Sequence, residues 1–240
     1  MSLRLRTAVV TDPGLIRSNN EDSAYASPTM IVVADGMGGL PAGELASEIV
    51  VRVLRDLDER APEGEAIELL REAVDEANGQ VKQAAEADAE RYGMGTTVTG
   101  MMMREDQLSI VHVGDSRAYL LRGNEFAQMT VDDTYVQMLV EAGELDESEV
   151  RYHPQRSLVT QAVQGGPIEP HLMVMEARVG DRLLICSDGL SDVITDETIM
   201  EVMHTVKDAR ACADQLVKLT LSAGAPDNVT VLVADVVEDA

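Results

Sequence analysis

Apolar positions along the chain follow two different periods. Runs in which apolar residues alternate with polar ones, or in which β-branched residues cluster, predict strands at 5–10, 30–34, 96–103, 108–113, 118–121, 172–177, 182–186 and 229–236. Between them, Leu45, Ile49, Val50, Val53, Leu54 and Leu57 recur at helical spacing, as do Ile67, Leu70, Ala73, Val74, Ala77 and Val81. These predict two consecutive amphipathic helices. Further helices are expected at 208–221 and from near Asp196, taken as an N-cap. Strands flank the helical pair on both sides, and neighbours such as 107–113 and 117–121 look like hairpins. The pattern predicts an α+β fold of packed antiparallel sheets covered by helices.

Length and composition add limits. The 240 residues, 45% of them hydrophobic, suffice for one sizeable core, so a single domain over 1–240 is expected. Residues 132–167 are less regular and are expected to form a flap over a site. With 43 acidic residues against 19 basic ones the formal charge is −24, which disfavours nucleic acid or an anionic membrane surface as partner. A single Phe and no Trp leave little for base stacking. The two cysteines, Cys186 and Cys212, sit in apolar patterns and are expected to be core thiols in a reducing compartment. No apolar stretch approaches the roughly 20 residues of a membrane span. A cytoplasmic location is expected, for the chain by itself or as the cytoplasmic part of a longer membrane-anchored protein. The thirteen methionines, Met101-Met-Met103 among them, are expected to pack in the core by strand alternation.

The candidate chemistry lies where apolar strands stop. Ile31-Val-Val-Ala-Asp35-Gly36, Ile110-Val-His-Val-Gly114-Asp115 and Leu183-Leu-Ile-Cys-Ser-Asp188-Gly189 each end on an aspartate beside glycine, and Asp227 precedes the last strand. If that strand runs antiparallel to a neighbour, all four carboxylates gather at one rim. Crowded carboxylates repel one another, and a hard divalent cation is the usual remedy; oxygen-only ligands favour Mg²⁺, Mn²⁺ or Ca²⁺ over zinc.

Six segments in order carry a specific resemblance: Arg17-Ser-Asn-Asn-Glu21-Asp22, Val33-Ala-Asp35-Gly36-Met37-Gly38-Gly39, Gly93-Met-Gly-Thr-Thr97, Gly114-Asp-Ser-Arg117, Cys186-Ser-Asp188-Gly189-Leu190 and Pro226-Asp227-Asn228-Val229-Thr230. In this order they resemble the protein phosphatase 2C family, the metal-dependent protein phosphatases. Tyr119-Leu-Leu-Arg122, Pro154-Gln-Arg-Ser-Leu158 and Ser187-Asp-Gly-Leu-Ser-Asp192 are similar to its actinobacterial members. The resemblance implies a four-layer α-β-β-α sandwich with two or three Mn²⁺ or Mg²⁺ ions in a cleft at one edge. It implies that Asp35 bridges two metals, that the Gly36 carbonyl binds one of them, and that Asp188 and Asp227 bind the other. Asp115, with Asp188, would hold a third ion. Glu21 and Asp22 would orient metal-bound waters, and Arg17 would bind the substrate phosphate through its guanidinium fork.

The activity implied is hydrolysis of phosphoserine and phosphothreonine in proteins by a metal-bridged water, without a phosphoenzyme. Phosphoproteins would be the partners, Ser/Thr kinases and their substrates included. A thiolate phosphatase is excluded by spacing: its loop needs Cys, five residues and Arg, whereas Asp192 and Lys218 stand six positions after Cys186 and Cys212. Ser116 and Ser187 lack a nucleophile elbow and read as polar residues in the site turns. One departure from the family pattern is Leu40, where histidine is common, followed by Pro41. It keeps open the alternative of a catalytically weak binding or regulatory protein of the same fold.

Overall fold

The structure, a computed structural model, describes residues 3–37 and 42–239. β1 (Leu3–Asp12), β2 (Asp22–Ala26) and β3 (Met30–Met37) precede helices α1 (Ala42–Arg60) and α2 (Ala66–Glu86). Next come β4 (Gly95–Thr96), β5 (Val98–Arg104), β6 (Gln107–Val113), β7 (Arg117–Arg122) and β8 (Glu125–Gln128). The chain continues through α3 (Tyr135–Glu141), a 3₁₀ turn (Glu147–Tyr152), β9 (His171–Glu176) and β10 (Arg182–Cys186). It closes with α4 (Asp188–Ser191), α5 (Asp196–Thr205), α6 (Ala209–Ser222) and β11 (Val229–Glu238).

Two antiparallel sheets form: five strands in the order β1-β11-β10-β7-β8, and six comprising β2-β3-β5-β6-β9 with β4 paired to β3. Strand alternation decides the layering, because successive side chains point to opposite faces. Along β3, Met30, Val32 and Ala34 join the buried stripes of α1 and α2, whereas Ile31 and Val33 face the other sheet. Met102 faces the helices, and Met101 and Met103 lie between the sheets. On the far side Leu184 and Cys186 pack under α5 and α6, while Leu183 and Ile185 point inward. Three apolar layers thus separate the four structural ones, giving the α-β-β-α sandwich, and each buried Leu, Val or Ile contributes about 1.5–3 kcal/mol.

Local differences from the sequence reading have identifiable causes. The run at 96–103 is two strands, because Thr97 turns its amide and hydroxyl toward Asp35 instead of continuing the ladder. Asp196 is the first residue of α5 and not its cap; the Thr195 hydroxyl accepts from the Thr198 amide, leaving Asp196 to bond the Tyr119 hydroxyl. Asp208 caps α6 by accepting from the Ala211 amide. Both cysteines are buried and free. Among the described residues, no helix is long and apolar enough to cross a membrane.

Candidate metal and phosphate site

One end of the sandwich collects the end of β3, the β6–β7 turn, the end of β10 and the starts of β2 and β11. Register brings the first carboxylates together: Asp22 stands opposite Asp35 in the β2–β3 ladder. β11 runs antiparallel to β10, with Cys186 opposite Val231, so Asp227 just before β11 returns to the rim where β10 hands on to Asp188.

Glycines permit the close approaches. A Cβ on Gly36 would lie 2.4 Å from the Gly43 carbonyl oxygen and 2.6 Å from that of Glu21, and one on Gly189 would lie 1.9 Å from the Asn228 carbonyl oxygen. The ends of β3 and β10 therefore touch the first turn of α1 and the start of β11 through backbone alone.

Hydroxyls and amides fix the aspartates. The Asp35 amide donates to Thr97 Oγ1 (3.0 Å), and the Thr97 and Ser116 hydroxyls share a hydrogen bond (2.7 Å), tying Asp35 to the turn that carries Asp115. Ser187 Oγ donates to Asp22 Oδ2 at 2.8 Å and accepts from the Thr230 amide at 3.0 Å. Asn228 links three loops: its Oδ1 accepts from the Glu21 amide, and its Nδ2 donates to the carbonyls of Pro13 and Asn19. Glu21 is buried, with Oε1 accepting from Asn19 Nδ2. Arg17, half exposed, donates from Nη2 to Asp227 Oδ2 at 2.8 Å, and that bond with the charge of Asp227 holds its pKa above the usual value.

The electrostatics are those of a cation site. Asp35 and Asp188 keep part of their surface open to solvent, yet enough protein surrounds their carboxyls to push both well above the usual range, burial being the largest cause. On Asp35, Asp22, Asp188, Asp115 and Asp227 all press in the same direction; on Asp188, Asp115 and Asp192 press hardest. Burial pushes Asp22 up to about 6 and Asp115 up to about 7, the latter helped by Asp132 and Asp192. Among the described residues, Asp22 Oδ1 is the one buried side-chain oxygen or nitrogen without a hydrogen-bond partner.

This donor set fits hard divalent cations: it is oxygen only, mutually repelling and under-bonded. Among the described residues no three His, Cys, Asp or Glu side chains stand close enough to hold one ion unaided. Mg²⁺ and Mn²⁺ suit such a site because they keep several waters, so backbone carbonyls such as that of Gly36 and solvent complete the shell.

Asp115 and Asp188 also line a cleft of about 550 Å³ that runs between α3 with the 3₁₀ turn on one side and the α4–α5 junction on the other. Arg151 donates to the carbonyls of Ser191 (2.7 Å) and Ile194 (2.9 Å), and Arg156 pairs with Asp192 at 3.4 Å. Leu40 and Pro41 lie outside the described residues. His112 is buried on β6, and burial lowers its pKa; its Nε2 lies 3.0 Å from the Val131 carbonyl and its Nδ1 2.9 Å from the Thr99 hydroxyl, which also bonds the Ser116 carbonyl at 3.0 Å. His153 Nδ1 accepts from the Gln155 amide.

Sequence reasoning missed Asp192 as a member of the acidic cluster, although its place four residues after Asp188, one helical turn on, was a usable signal. It also gave Ser187, Thr97 and Asn228 no organising part. Their partners lie 165, 62 and 207 residues away, which no local pattern reveals.

Comparison with known proteins agrees with this geometry. A family model described as "Protein phosphatase 2C" matches residues 18–221. The chain is 47% identical to the serine/threonine protein phosphatase PstP of Mycobacterium tuberculosis over 238 residues, covering 99% of this chain and 46% of that protein. It thus spans about half the length of that curated relative. A serine/threonine phosphatase stp of Listeria welshimeri is 34% identical, with 94% of this chain and 93% of the relative covered. Among solved structures, the M. tuberculosis PstP/Ppp crystal structure superposes with a TM-score of 0.94 at 47% identity, covering 97% of this chain and 98% of that one. The catalytic domain of PstP in complex with two manganese ions gives 0.93 at 45% identity, covering 99% and 100%. With its sandwich, its acidic rim and a match across most of its length, the chain belongs to the protein phosphatase 2C family.

Proposed function

We propose that this chain is the catalytic domain of a metal-dependent serine/threonine protein phosphatase, with 132–167 as a flap over its cleft. The observation that carries this reading is the set of mutually repelling carboxylates, Asp22, Asp35, Asp115, Asp188 and Asp227, held by rigid strand ends at one rim.

Mn²⁺ or Mg²⁺, when bound, supplies Lewis acidity that acidifies water and offsets phosphoryl charge. Asp35, the Gly36 carbonyl, Asp188 and Asp227 would hold two ions, and Asp115 with Asp188 a third. Asp22, with one oxygen on Ser187 and the other free, and Glu21 beside it would accept hydrogen bonds from coordinated water and so orient it. Arg17, tethered at Asp227, places its guanidinium at the mouth of the site to receive the phosphate. The cleft leading from Asp115 and Asp188 would take the peptide that carries the phosphorylated residue. The substrates are phosphoproteins; Ser/Thr kinases and their targets in bacterial signalling, met in the cytoplasm, are the proposed physiological ones.

Phosphate release from a phosphothreonine peptide, measured with Mn²⁺, with Mg²⁺ and with EDTA, tests the activity. Turnover should need metal and collapse in Asp188→Ala. Metal binding by the wild type without turnover would reject catalysis in favour of a binding protein.

A further inference from the structure

Asp115 rides on a turn that two different parts of the molecule hold. From one side Thr97 bonds Ser116, and Gly114, at φ 106°, packs so tightly that a Cβ would lie 2.6 Å from Thr97 Cγ2. From the other side Asp133 grips Gly114 twice. The Asp133 amide donates to the Gly114 carbonyl at 2.7 Å, and Asp133 Oδ2 accepts from the Gly114 amide at 2.9 Å. The same carboxylate, only 13% exposed, also accepts from Gln161 Nε2 (3.0 Å) and His171 Nε2 (2.9 Å).

Asp133 stands at the base of segment 132–167, where its carbonyl accepts from the Thr160 amide and Thr134 bridges Val159. Gln161, from the returning limb, is anchored in turn on the Glu169 backbone. One partly buried carboxylate therefore joins the outgoing limb, the returning limb, the edge strand β9 and the residue next to Asp115. The sequence singles out Asp133 for nothing; it is the second of two adjacent aspartates in a polar stretch.

We propose that Asp133 is a positioning residue: through the Gly114 amide it holds Asp115 where it can share an ion with Asp188, and so couples that ion to the docking of segment 132–167. The proposal rests on the reading of Asp115 as a ligand. A coordinating carboxylate must be held to within about 0.5 Å, and residues that orient ligands typically change metal affinity by about 10- to 100-fold when removed. The Thr97–Ser116 bond and the backbone bond from the Asp133 amide to the Gly114 carbonyl remain when the carboxylate is removed, so the turn loses one of three ties and is not dismantled.

The test is calorimetric titration of metal-free protein with Mn²⁺ alone, on the wild type and on Asp115→Ala, Asp133→Ala, Asp133→Asn and His171→Ala, with thermal melts to establish folding. Asp115→Ala should remove one ion from the isotherm. Asp133→Ala should weaken that same ion about 10- to 100-fold and leave the others unchanged. Asp133→Asn, whose side-chain oxygen still accepts from Gly114 N–H, should stay within about threefold of wild type. His171→Ala, which removes another partner of the same carboxylate, should bind as wild type does. Wild-type binding by a folded Asp133→Ala, alongside loss of the ion in Asp115→Ala, would overturn the coupling alone. Should Asp133→Ala not fold, loss of the ion in Asp133→Asn would still reject the hydrogen-bond route. An unchanged isotherm in Asp115→Ala would overturn the ligand reading and this proposal with it.

Discussion

Replacing Gly189 with alanine sets two physical effects against each other. Gly189 is the second residue of the four-residue α4, and since glycine even in a helix interior is about 1 kcal/mol worse than alanine, propensity alone predicts that Gly189→Ala stabilises by at most about that much. The contact geometry predicts the reverse. The new Cβ would lie 1.9 Å from the Asn228 carbonyl oxygen and 2.9 Å from its carbon. Restoring even a tight 3.0 Å needs a movement of about 1.1 Å, the difference between 3.0 and 1.9. Neither side yields easily. Leu190 is fully buried under α6, and the start of β11 is pinned by the Ser187–Thr230 bonds and by the three bonds of the Asn228 side chain. Overpacking of this kind costs typically about 1–3 kcal/mol, and more where backbone must move.

Net of propensity, the variant should lose up to about 2 kcal/mol, a fall of up to about 8 °C in melting temperature at this chain length. The functional consequence is larger than the stability one. Asp188 immediately precedes Gly189 and Asp227 immediately precedes Asn228, so relief of the clash drives two proposed ligands apart by more than the roughly 0.5 Å such a site tolerates. Mn²⁺ affinity, followed by titration calorimetry beside a thermal melt, should fall by about tenfold or more. A variant as stable as the wild type that binds Mn²⁺ equally well would show that α4 and β11 are not held together as argued.

Gly79 is the matching control: it lies inside α2 with nothing within 4 Å of its would-be Cβ, so Gly79→Ala should raise stability by about 0.5–1 kcal/mol in urea melts. The aspartate cluster makes a pH prediction. Raised carboxyls mean that the folded state binds more protons than the unfolded one between the ordinary range near 4 and the shifted values, about 6 for Asp22 and about 7 for Asp115. Unfolding free energy should therefore fall as pH rises through that window in EDTA, and fall less in saturating Mn²⁺; equal slopes in the two urea-midpoint series would refute the cluster as the cause. Arg17→Lys keeps the charge but loses the fork, so the KM for a phosphothreonine peptide should rise by about tenfold in steady-state assays, with kcat less affected.

The sandwich was legible because its central strands obey one rule. Residues 30–34, 108–113 and 182–186 alternate between two apolar faces, and helical stripes begin and end beside them. What escaped was structure whose stability comes from outside the segment. Strand β2 has no alternation to read, since every residue from Asp22 to Ala26 is half-buried, and it exists as the ladder partner of β3. The short edge strand β8 is mostly exposed and is specified by β7. Segment 132–167 looks irregular because its tethers are side chains from elsewhere: Asn78 on α2 bonds both Gly165 and Gly166, and Arg117 on β7 holds Asp132.

The same distinction separates the acidic residues that matter from those that do not. Forty-three acidic side chains give the chain its charge, and most of those on α1 and α2 are solvated, paired with arginines one turn away if at all. Exposed pairs of that kind contribute about 0–1 kcal/mol and say nothing about function. Asp22 belongs to a different class only because Ser187, 165 residues later, takes one of its oxygens while the surrounding protein shuts solvent from the other. A sequence shows that such an aspartate follows Asn19-Asn20-Glu21, which describes many solvated loops equally well. The strand-end position of Asp35 and Asp188 could be read locally because a strand's apolar run ends visibly. The burial of Asp22 and the reach of Asp133 could not, because each is a property of two distant segments meeting. Chemistry at this rim therefore depends on long-range register as much as on ligand identity, which is why a single methyl group at Gly189 is expected to reach the metal site.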